Sequence, residues 1–239
     1  MGVYLRRAEL APSAPAGWPY DLPAVTALGS IDLASPAIFL VGENGVGKST
    51  LVEGLAMSAG LNPHGGTSNM RTRGHGTESA LHEHLQLRWG RRRPKRDFFL
   101  RAETLLDTVA AYEAIGGTYA GLTRLSHGES VTTLVERMDG RGLLLFADEP
   151  EDGLSVTGQL ALLKRLHALV GQGAQLVIAT HSPILPALPG ARTYELHEDG
   201  ATEVDWADTD AAVIMRSFFR APDQYLARLL GSGAEASGR

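Results

Sequence analysis

Residues 42–49 read Gly-Glu-Asn-Gly-Val-Gly-Lys-Ser and fit the pattern G-x-x-x-x-G-K-[ST] at every position. The apolar run Ala-Ile-Phe-Leu-Val at 37–41 precedes them and is typical of a buried strand, whereas the segment 49–60 is typical of a helix. Glycines let a backbone fold closely around phosphate groups with its N–H groups pointing inward, and the following helix N-terminus adds partial positive charge. The stretch therefore predicts a strand, a phosphate-binding loop and a helix, in that order.

Side chains of this loop have predicted roles of their own. We expect Lys48 to neutralise the β- and γ-phosphates of ATP and the Ser49 hydroxyl to be a Mg²⁺ ligand. A chance glycine-rich turn is the alternative, and the strand, lysine, serine and helix in sequence argue strongly against it. The residues predicted to bind the nucleotide from this loop are Gly42, Glu43, Asn44, Gly45, Val46, Gly47, Lys48, Ser49 and Thr50.

Two further apolar runs, 142–150 and 174–180, also predict buried strands, and each leads into polar residues. Asp148 can hold Mg²⁺ through water at a strand tip, and Glu149 can then polarise the attacking water as general base. His181 lies where a γ-phosphate sensor would be. Solvated acids and a structural histidine are the alternatives at these positions, and the phosphate-binding loop weakens them.

The segment 156–170 joins these two strands and has helical periodicity, which predicts a strand–helix–strand crossover with parallel strands. Its predicted apolar face carries Leu160, Leu163, Leu166 and Val170. Other segments also carry local signals. They predict a strand at 81–89, helices at 103–116, 210–219 and 223–230, and loops at 11–23 and 62–77.

Four motifs occur in a set order along the chain. They are the phosphate-binding loop, Leu125-Ser126-His127-Gly128-Glu129, Asp148-Glu149-Pro150 and Thr180-His181-Ser182. This order resembles that of the ABC ATPases, with Walker A at 42–49, the LSGGQ signature at 125–129, Walker B at 143–148 and the switch histidine at His181. Glu-Asp-Gly-Leu at 151–154 resembles the D-loop of that family. More closely, GENGVGKST, FFLRAE, SHGES, DEPE and ATHSPIL resemble a group of small stand-alone bacterial predicted ATPases, which are AAA family ATPase-like and not transporters.

The resemblance implies an α/β fold, a P-loop NTPase of the ABC type with a mixed central sheet flanked by helices. It places one ATPase domain at 1–230, with a small helical subdomain at about 100–140, and we expect 231–239 to be a disordered tail. It also implies a head-to-tail homodimer that binds and hydrolyses Mg-ATP to switch an effector. In that dimer Ser126 and Gly128 of one subunit would meet the γ-phosphate bound by the other.

Three features depart from the family pattern or leave a role open. No convincing Q-loop glutamine lies between 50 and 125, because Gln86 falls in a predicted strand; Glu103 is the candidate substitute. Ser155 stands where the D-loop usually has aspartate. Trp18 and Tyr20 are candidates for stacking on adenine, and packing in the core is the alternative for both.

Composition limits the remaining possibilities. The chain has 239 residues, a formal net charge of −5 and no cysteine, which excludes disulfides and thiolate metal sites and fits a cytoplasmic protein. No apolar run approaches the length of a membrane span. Residues 71–101 nevertheless hold nine of the 22 lysines and arginines. The basic segment 88–101 is a candidate contact for nucleic acid or an acidic protein, and a solvated turn is the alternative.

Other functions remain open on the sequence alone. The chain is alternatively the nucleotide-binding subunit of a membrane transporter, and the missing Q-loop glutamine argues against this. A DNA-repair-like ABC ATPase is a further alternative, but the segment between Ser49 and Ser126 is too short for the long coiled coil of such proteins. A nucleotide-binding module without hydrolysis is disfavoured because Glu149 is present.

Overall fold

The computed structural model describes residues 2–26, 29–68, 79–114 and 122–231. Its strands are β1 (Leu5–Leu10), β2 (Ser30–Asp32), β3 (Ala37–Gly42), β4 (Leu85–Trp89), β5 (Arg96–Arg101), β6 (Leu143–Asp148), β7 (Gln175–Ala179), β8 (Arg192–His197) and β9 (Gly200–Val204). Its α-helices are α1 (Pro23–Thr26), α2 (Lys48–Ser58), α3 (Leu105–Ala114), α4 (His127–Arg137), α5 (Val156–Gly171), α6 (Asp210–Arg220) and α7 (Pro222–Leu229).

The larger sheet has six strands in the order β5-β6-β7-β3-β8-β9. Neighbouring strands from β5 to β8 run parallel, whereas β9 runs antiparallel to β8, so the sheet is mixed. Ala179 of β7 pairs with Leu40 of β3 on one side and with Asp148 of β6 on the other. The carboxyl ends of these three strands therefore meet at one edge of the sheet, where the polar residues that follow them are brought together.

Both faces of this sheet are covered. Successive side chains of β3 alternate between two cores: Ile38 and Leu40 pack with residues of α2 and the N-terminal strands, and Phe39 and Val41 pack with residues of α3, α4 and α5. This burial on both faces explains why the strand is an unbroken apolar run rather than an alternating one. The prediction of a mixed sheet flanked by helices is confirmed.

A small antiparallel sheet, in the order β2-β1-β4, is fastened to the larger one by the side chain of Gln175, the first residue of β7. The Gln175 amide is fully buried. Its Oε1 accepts hydrogen bonds from the N–H groups of Tyr4 (2.8 Å) and Leu5 (2.7 Å), and its Nε2 donates to the carbonyl oxygens of Leu5 (2.7 Å), Leu33 (2.8 Å) and Ser35 (3.1 Å). One neutral side chain thus satisfies backbone groups that the junction would otherwise bury without partners.

Helices α3 and α4 lie between β5 and β6 in the chain, in the region predicted to form a helical subdomain. Their buried residues, such as Val109 and Leu134, belong to the same core as the sheet residues of β6. The domain boundaries stay a prediction. Of the predicted disordered tail, residues 232–239 lie outside the described residues, as do 69–77 of the predicted loop at 62–77 and the end of the predicted helix at 103–116.

Several local predictions need correction. The predicted strand at 81–89 begins with a 3-10 turn at Ala80–Glu83, and only β4 is extended. Helix α5 buries Leu162, Leu166, Leu169 and Val170, while Leu160 is 52% exposed, so the predicted apolar face was wrong at Leu160. The sequence analysis did not predict β1, β2, β5, β8 or β9. Among the described residues no helix is both long and apolar enough to cross a membrane.

Candidate active site

The phosphate-binding loop joins β3 to α2 through glycines that other residues could not replace. Gly42 has φ 136°, and a Cβ at this position would lie 2.2 Å from the carbonyl oxygen of Leu196. Gly47 is the N-cap of α2 and has φ 99°, in the left-handed region. Both are conformations that L-residues with a Cβ rarely adopt. The loop thus turns sharply enough to place the N-terminus of α2 next to the end of β3.

Lys48, the first residue of α2, is buried and folds back over the loop. Its Nζ donates hydrogen bonds to the carbonyl oxygens of Gly42 (2.8 Å) and Glu43 (2.7 Å). Burial lowers the pKa of the Lys48 ammonium, and the nearby carboxylates of Glu149 and Asp148 oppose that shift. A positive charge is therefore held inside the loop, where the sequence predicted it to neutralise phosphate.

Asp148, the last residue of β6, is the buried carboxylate of the site. Burial raises the pKa of Asp148 to about 6, although a hydrogen bond from Ser49 and the charge of Arg101 act in the opposite direction. Its Oδ1 is buried and has no hydrogen-bond partner among the described residues. A buried carboxylate oxygen without a partner, beside a serine hydroxyl, fits the oxygen ligands that Mg²⁺ requires. Ser49 and Asp148 are thus the residues that would hold the metal.

At the end of β5, next to Asp148, the structure places Arg101 rather than a glutamine. Arg101 pairs with Asp148 in the register of β5 and β6, and its Nη1 lies 2.5 Å from Oε2 of Glu53 on α2. The predicted substitute, Glu103, is 79% exposed and contacts Arg101 at 3.5 Å. Gln86 lies exposed in β4, away from these strand ends. β5, the strand next to β6, therefore ends in an arginine–glutamate pair that ties it to α2.

Glu149 and His181 follow the adjacent strands β6 and β7 and face each other. Oε1 of Glu149 lies 3.3 Å from Nε2 of His181, and the two side chains are 43% and 35% exposed. The Glu149 N–H donates to the carbonyl oxygen of Ala179 at 2.9 Å, so the strand register brings the carboxylate to the histidine. Solvent can reach this pair, as a general base that activates water requires.

Glu151 has a role that sequence reasoning missed. Its buried Oε1 accepts hydrogen bonds from the N–H groups of His181 (2.6 Å) and Ser182 (3.0 Å), and its Oε2 is buried without a partner among the described residues. Ser182 is fixed in turn by its hydroxyl, which donates to Oε1 of Gln159 at 2.7 Å. Glu151 thus positions the backbone of the loop that carries His181. The acidic residue in the DEPE segment was visible in the sequence, but its partner 30 residues away was not.

The signature segment forms the N-terminus of α4. Ser126 is an exposed N-cap: its N–H and hydroxyl donate to Oε2 of Glu129 at 2.9 Å and 2.6 Å, and its hydroxyl accepts from the Glu129 N–H at 3.4 Å. Gly128 is buried against the loop that contains Gly153. A Cβ at position 128 would lie 2.8 Å from the carbonyl oxygen of Gly153, so only glycine fits there. The signature therefore packs directly on the predicted D-loop.

The two aromatic candidates for adenine stacking lie in different surroundings. Tyr20 is buried, and its hydroxyl donates to the carbonyl oxygen of Ala80 at 2.8 Å and lies 2.8 Å from Nδ1 of His84. This ring is packed in the core, as the alternative interpretation held. Trp18 is 63% exposed and remains the candidate for stacking.

Known proteins resemble the chain in sequence and in fold. It is 24% identical over 235 residues to the ABC transporter ATP-binding protein/permease PDR18 of Saccharomyces cerevisiae, covering 83% of this chain and 18% of that protein. It is 32% identical over 185 residues to a protein described as an ABC transporter ATP-binding protein in Streptomyces avermitilis, covering 68% of this chain and 32% of that protein. The chain thus spans a third or less of the length of these relatives. No family model matches it.

Two solved structures share the fold. One is described as an inward-facing conformation of a metal-chelate type ABC transporter, with a TM-score of 0.52, 18% identity and coverage of 89% of this chain and 88% of that one. The other is CbiO1 of Clostridium perfringens, part of the ABC transporter complex CbiONQ, with a TM-score of 0.52, 15% identity and coverage of 95% and 99%. At these identities the likeness shows the fold alone.

The sheet order, the phosphate-binding loop and the strand-end residues together define an ABC-type P-loop ATPase fold.

Proposed function

We propose that the chain binds Mg-ATP and hydrolyses it in a head-to-tail dimer, and that this cycle switches an effector protein. The observation that carries the proposal is the buried Asp148, whose Oδ1 has no partner among the described residues and which lies beside Ser49. Burying such a carboxylate costs free energy unless a bound cation compensates its charge. Lys48 and the loop N–H groups supply the matching contacts for phosphate.

Hydrolysis needs a water molecule to attack the γ-phosphorus. In the proposed mechanism Glu149 accepts the proton of that water while a new P–O bond forms and the bond to the β–γ bridging oxygen breaks, which yields ADP and phosphate. His181, whose Nε2 lies 3.3 Å from Oε1 of Glu149, would orient the carboxylate and contact the γ-phosphate. Mg²⁺ held by Ser49 and Asp148 would supply positive charge to the phosphate oxygens.

The dimer is supported by the exposed N-terminus of α4. Within a single chain, the Ser126 hydroxyl that caps this helix donates a hydrogen bond to the Glu129 carboxylate. A γ-phosphate bound by a second subunit would gain the helix N-terminus and the Ser126 hydroxyl once the Glu129 carboxylate turns away. ATP would then hold the subunits together and hydrolysis would release them. A cytoplasmic location and independence from a membrane partner are parts of the same proposal.

Light scattering on Glu149→Gln tests this proposal. With saturating Mg-ATP this variant retains unhydrolysed nucleotide, so we expect a dimer, and a monomer without nucleotide. Glu198→Gln is the matched control, because this exposed glutamate lies between β8 and β9, outside the proposed chemistry, and its variant should turn over like the parent. A Glu149→Gln protein that stays monomeric at saturating Mg-ATP would refute the dimer.

The second candidate function is the nucleotide-binding subunit of a transporter, and the names of the relatives favour it. The arginine–glutamate pair at the end of β5 stands against it, because the Q-loop of that family usually couples to the membrane partner. The two candidates differ in what the purified chain does alone. The ATPase rate of a transporter subunit should change when its membrane partner is added, whereas the proposed switch should turn over at the same rate with and without membrane protein.

A further inference from the structure

A concave basic surface lies between the N-terminal segment and the loop that joins β4 to β5. The cavity has a volume of about 540 Å³, and none of its lining residues is acidic. Its cationic residues, which we call the basic pocket, are Arg6, Arg91, Arg92, Arg93, Lys95 and Arg141. Six cations around one cavity contrast with the formal net charge of −5 of the whole chain.

Most of these cations lack a carboxylate partner. Arg141 pairs with Asp139 at 2.9 Å, whereas the other five form no ion pair with an acidic residue in the part of the chain that the structure describes. Like charges at short distances repel one another and favour a bound counter-anion. The pocket therefore has a surplus of positive charge that is available to a ligand.

The backbone presents these side chains in a defined arrangement. The loop is pinned at its start by the Gly90 N–H, which donates to the Tyr4 carbonyl oxygen at 2.6 Å, and at its end by the Lys95 N–H, which donates to the Gly142 carbonyl oxygen at 2.8 Å. Between them, the Arg93 guanidinium lies over the ring of Trp89 at 4.2 Å. Less backbone entropy is then lost on binding than with a flexible basic tail.

The basic pocket is separate from the ATP site. Gly142, in its lining, immediately precedes β6, and Lys95 immediately precedes β5. Asp148 and Arg101 end those strands. The pocket thus lies at the amino ends of the parallel strands, opposite the edge where the phosphate-binding loop and Glu149 meet, and a nucleotide bound at one site does not occupy the other.

We propose that the basic pocket binds the phosphate backbone of a single-stranded nucleic acid. Five of its six cations are arginines, whose planar guanidinium groups match phosphate oxygens in pairs. Arg91, Arg92 and Arg93 are exposed, so they cannot enclose a small anion, but they can contact successive phosphates of a strand. Arg93 covers one face of the Trp89 ring. Contacts to phosphates carry no sequence information, so we expect the binding to be independent of base sequence.

Fluorescence anisotropy with labelled single-stranded DNA and RNA of mixed sequence tests the proposal. We expect binding that weakens steeply between about 50 and 200 mM salt, because each neutralised phosphate contributes about −0.7 to the slope of log K against log salt. Replacing Arg91, Arg92 and Arg93 together by alanine should weaken binding at least about tenfold and reduce that slope by about 2. ATPase turnover without nucleic acid should stay unchanged, so this test is independent of the proposed function.

The matched control is the triple variant Arg216→Ala, Arg220→Ala, Arg228→Ala, which removes the same charge from exposed positions on α6 and α7. It should bind like the parent. If the first triple variant does not fold, judged by circular dichroism, Arg6→Ala with Lys95→Ala takes its place. The proposal is overturned by an absence of binding at low salt, by equal losses in both sets of variants, by tighter binding of duplex than of single strands, or by displacement with polyglutamate or inorganic triphosphate at equal charge concentration.

Discussion

Glu149 and His181 stand 3.3 Å apart because two adjacent parallel strands end in register. Glu149 has φ 51°, in the left-handed region that residues with a Cβ seldom occupy. Such a conformation costs on the order of 1 to 3 kcal/mol and persists only where the surroundings enforce it. Here the Glu149 N–H is bound by Ala179 of the neighbouring strand at 2.9 Å. The chain therefore holds a strained residue at the point where the proposed general base is needed.

The first prediction concerns the chemistry of Glu149. Glu149→Gln should lower kcat by about 10² to 10⁴, because the amide cannot accept the proton of the attacking water. Mg-ATP binding should stay near that of the parent, since the phosphate contacts are unaltered. Single-turnover kinetics with isothermal calorimetry separates the two effects. An unchanged rate would move the base elsewhere, with His181 as the next residue to test.

Lys48→Ala should abolish tight ATP binding. The variant removes the ammonium that the Gly42 and Glu43 carbonyl oxygens hold in the loop, and a charge-assisted contact of this kind corresponds to roughly a 100-fold change in Kd. Calorimetry measures the Kd directly. Lys164→Ala, at an exposed position on α5, removes the same charge and should bind ATP like the parent. Equal affinities for both variants would show that residues 42–49 do not bind the nucleotide.

Glu151→Ala should destabilise the protein and slow turnover together. It leaves the N–H groups of His181 and Ser182 without their acceptor, which costs roughly 1 to 3 kcal/mol of unfolding free energy. Because Glu151 acts through His181, kcat should fall while KM changes little. Glu151→Gln keeps the Oε1 acceptor and should restore most of the rate. The exposed Glu198, between β8 and β9, supplies the control, Glu198→Ala, for which turnover should be normal.

Asp148 should make the metal-free protein less stable as the pH rises. Its pKa is raised from 3.8 to about 6 in the folded state. Through Asp148, the folded protein therefore binds more protons than the unfolded chain between these values. The contribution of Asp148 to the free energy of unfolding is thus most favourable below pH 3.8 and falls as the pH rises through about 6. The Asp148→Asn variant lacks that charge, so its free energy of unfolding at neutral pH should be roughly 2 to 3 kcal/mol higher than that of the parent.

Denaturant unfolding in the presence of a chelator, at acidic and at neutral pH, measures this effect of Asp148. The difference in free energy of unfolding between Asp148→Asn and the parent should become smaller toward acidic pH. Added Mg²⁺ with ATP should stabilise the parent more than the variant. A variant that is less stable than the parent at neutral pH without metal would contradict the assignment of an unpaired buried carboxylate.

Ser126→Asp should block the dimer, and Ser126→Asn should spare most of it. Both residues are good N-caps, so α4 keeps its first turn, but only aspartate adds a negative charge that would meet the γ-phosphate of a second subunit. Light scattering in the Glu149→Gln background compares the two, with thermal unfolding as a check on α4. Equal dimerisation of both variants would mean that Ser126 does not face the phosphate.

Local patterns were sufficient to predict the loop at 42–49, the strand that ends at Asp148 and the position of His181 after the next strand, while their roles in binding and chemistry stay predictions. Each of these lies on or directly after an apolar strand whose sequence neighbours carry the signal, as Lys48 and Asp148 do. The sheet that contains them was predicted less completely. β5 and β8 each mix charged with apolar residues, and their place in the sheet depends on pairing with strands far away in the chain, which no local pattern reveals.

Contacts between side chains and partners that lie far away in the sequence also could not be predicted from it. Glu151 is separated by 30 residues from the N–H groups that it binds, and Arg101 by 48 residues from Glu53. In the sequence, Glu151 and Glu53 both look like ordinary surface residues. Only folding makes them buried and therefore costly to leave unpaired. The same holds for Gln175, whose five backbone contacts lie at least 140 residues away.

The position of β3 in the sheet has a consequence for protein synthesis. Both strands that bind it, β7 and β8, are encoded in the last third of the chain, and β8 ends at His197. At a translation rate of about 5 to 20 residues per second, Lys48 emerges from the ribosome on the order of 10 seconds before its binding pocket can close. A nascent chain therefore contains residues 42–49 before the two strands that flank β3 in the sheet have been synthesised. We therefore expect ATP binding only after β8 has been synthesised.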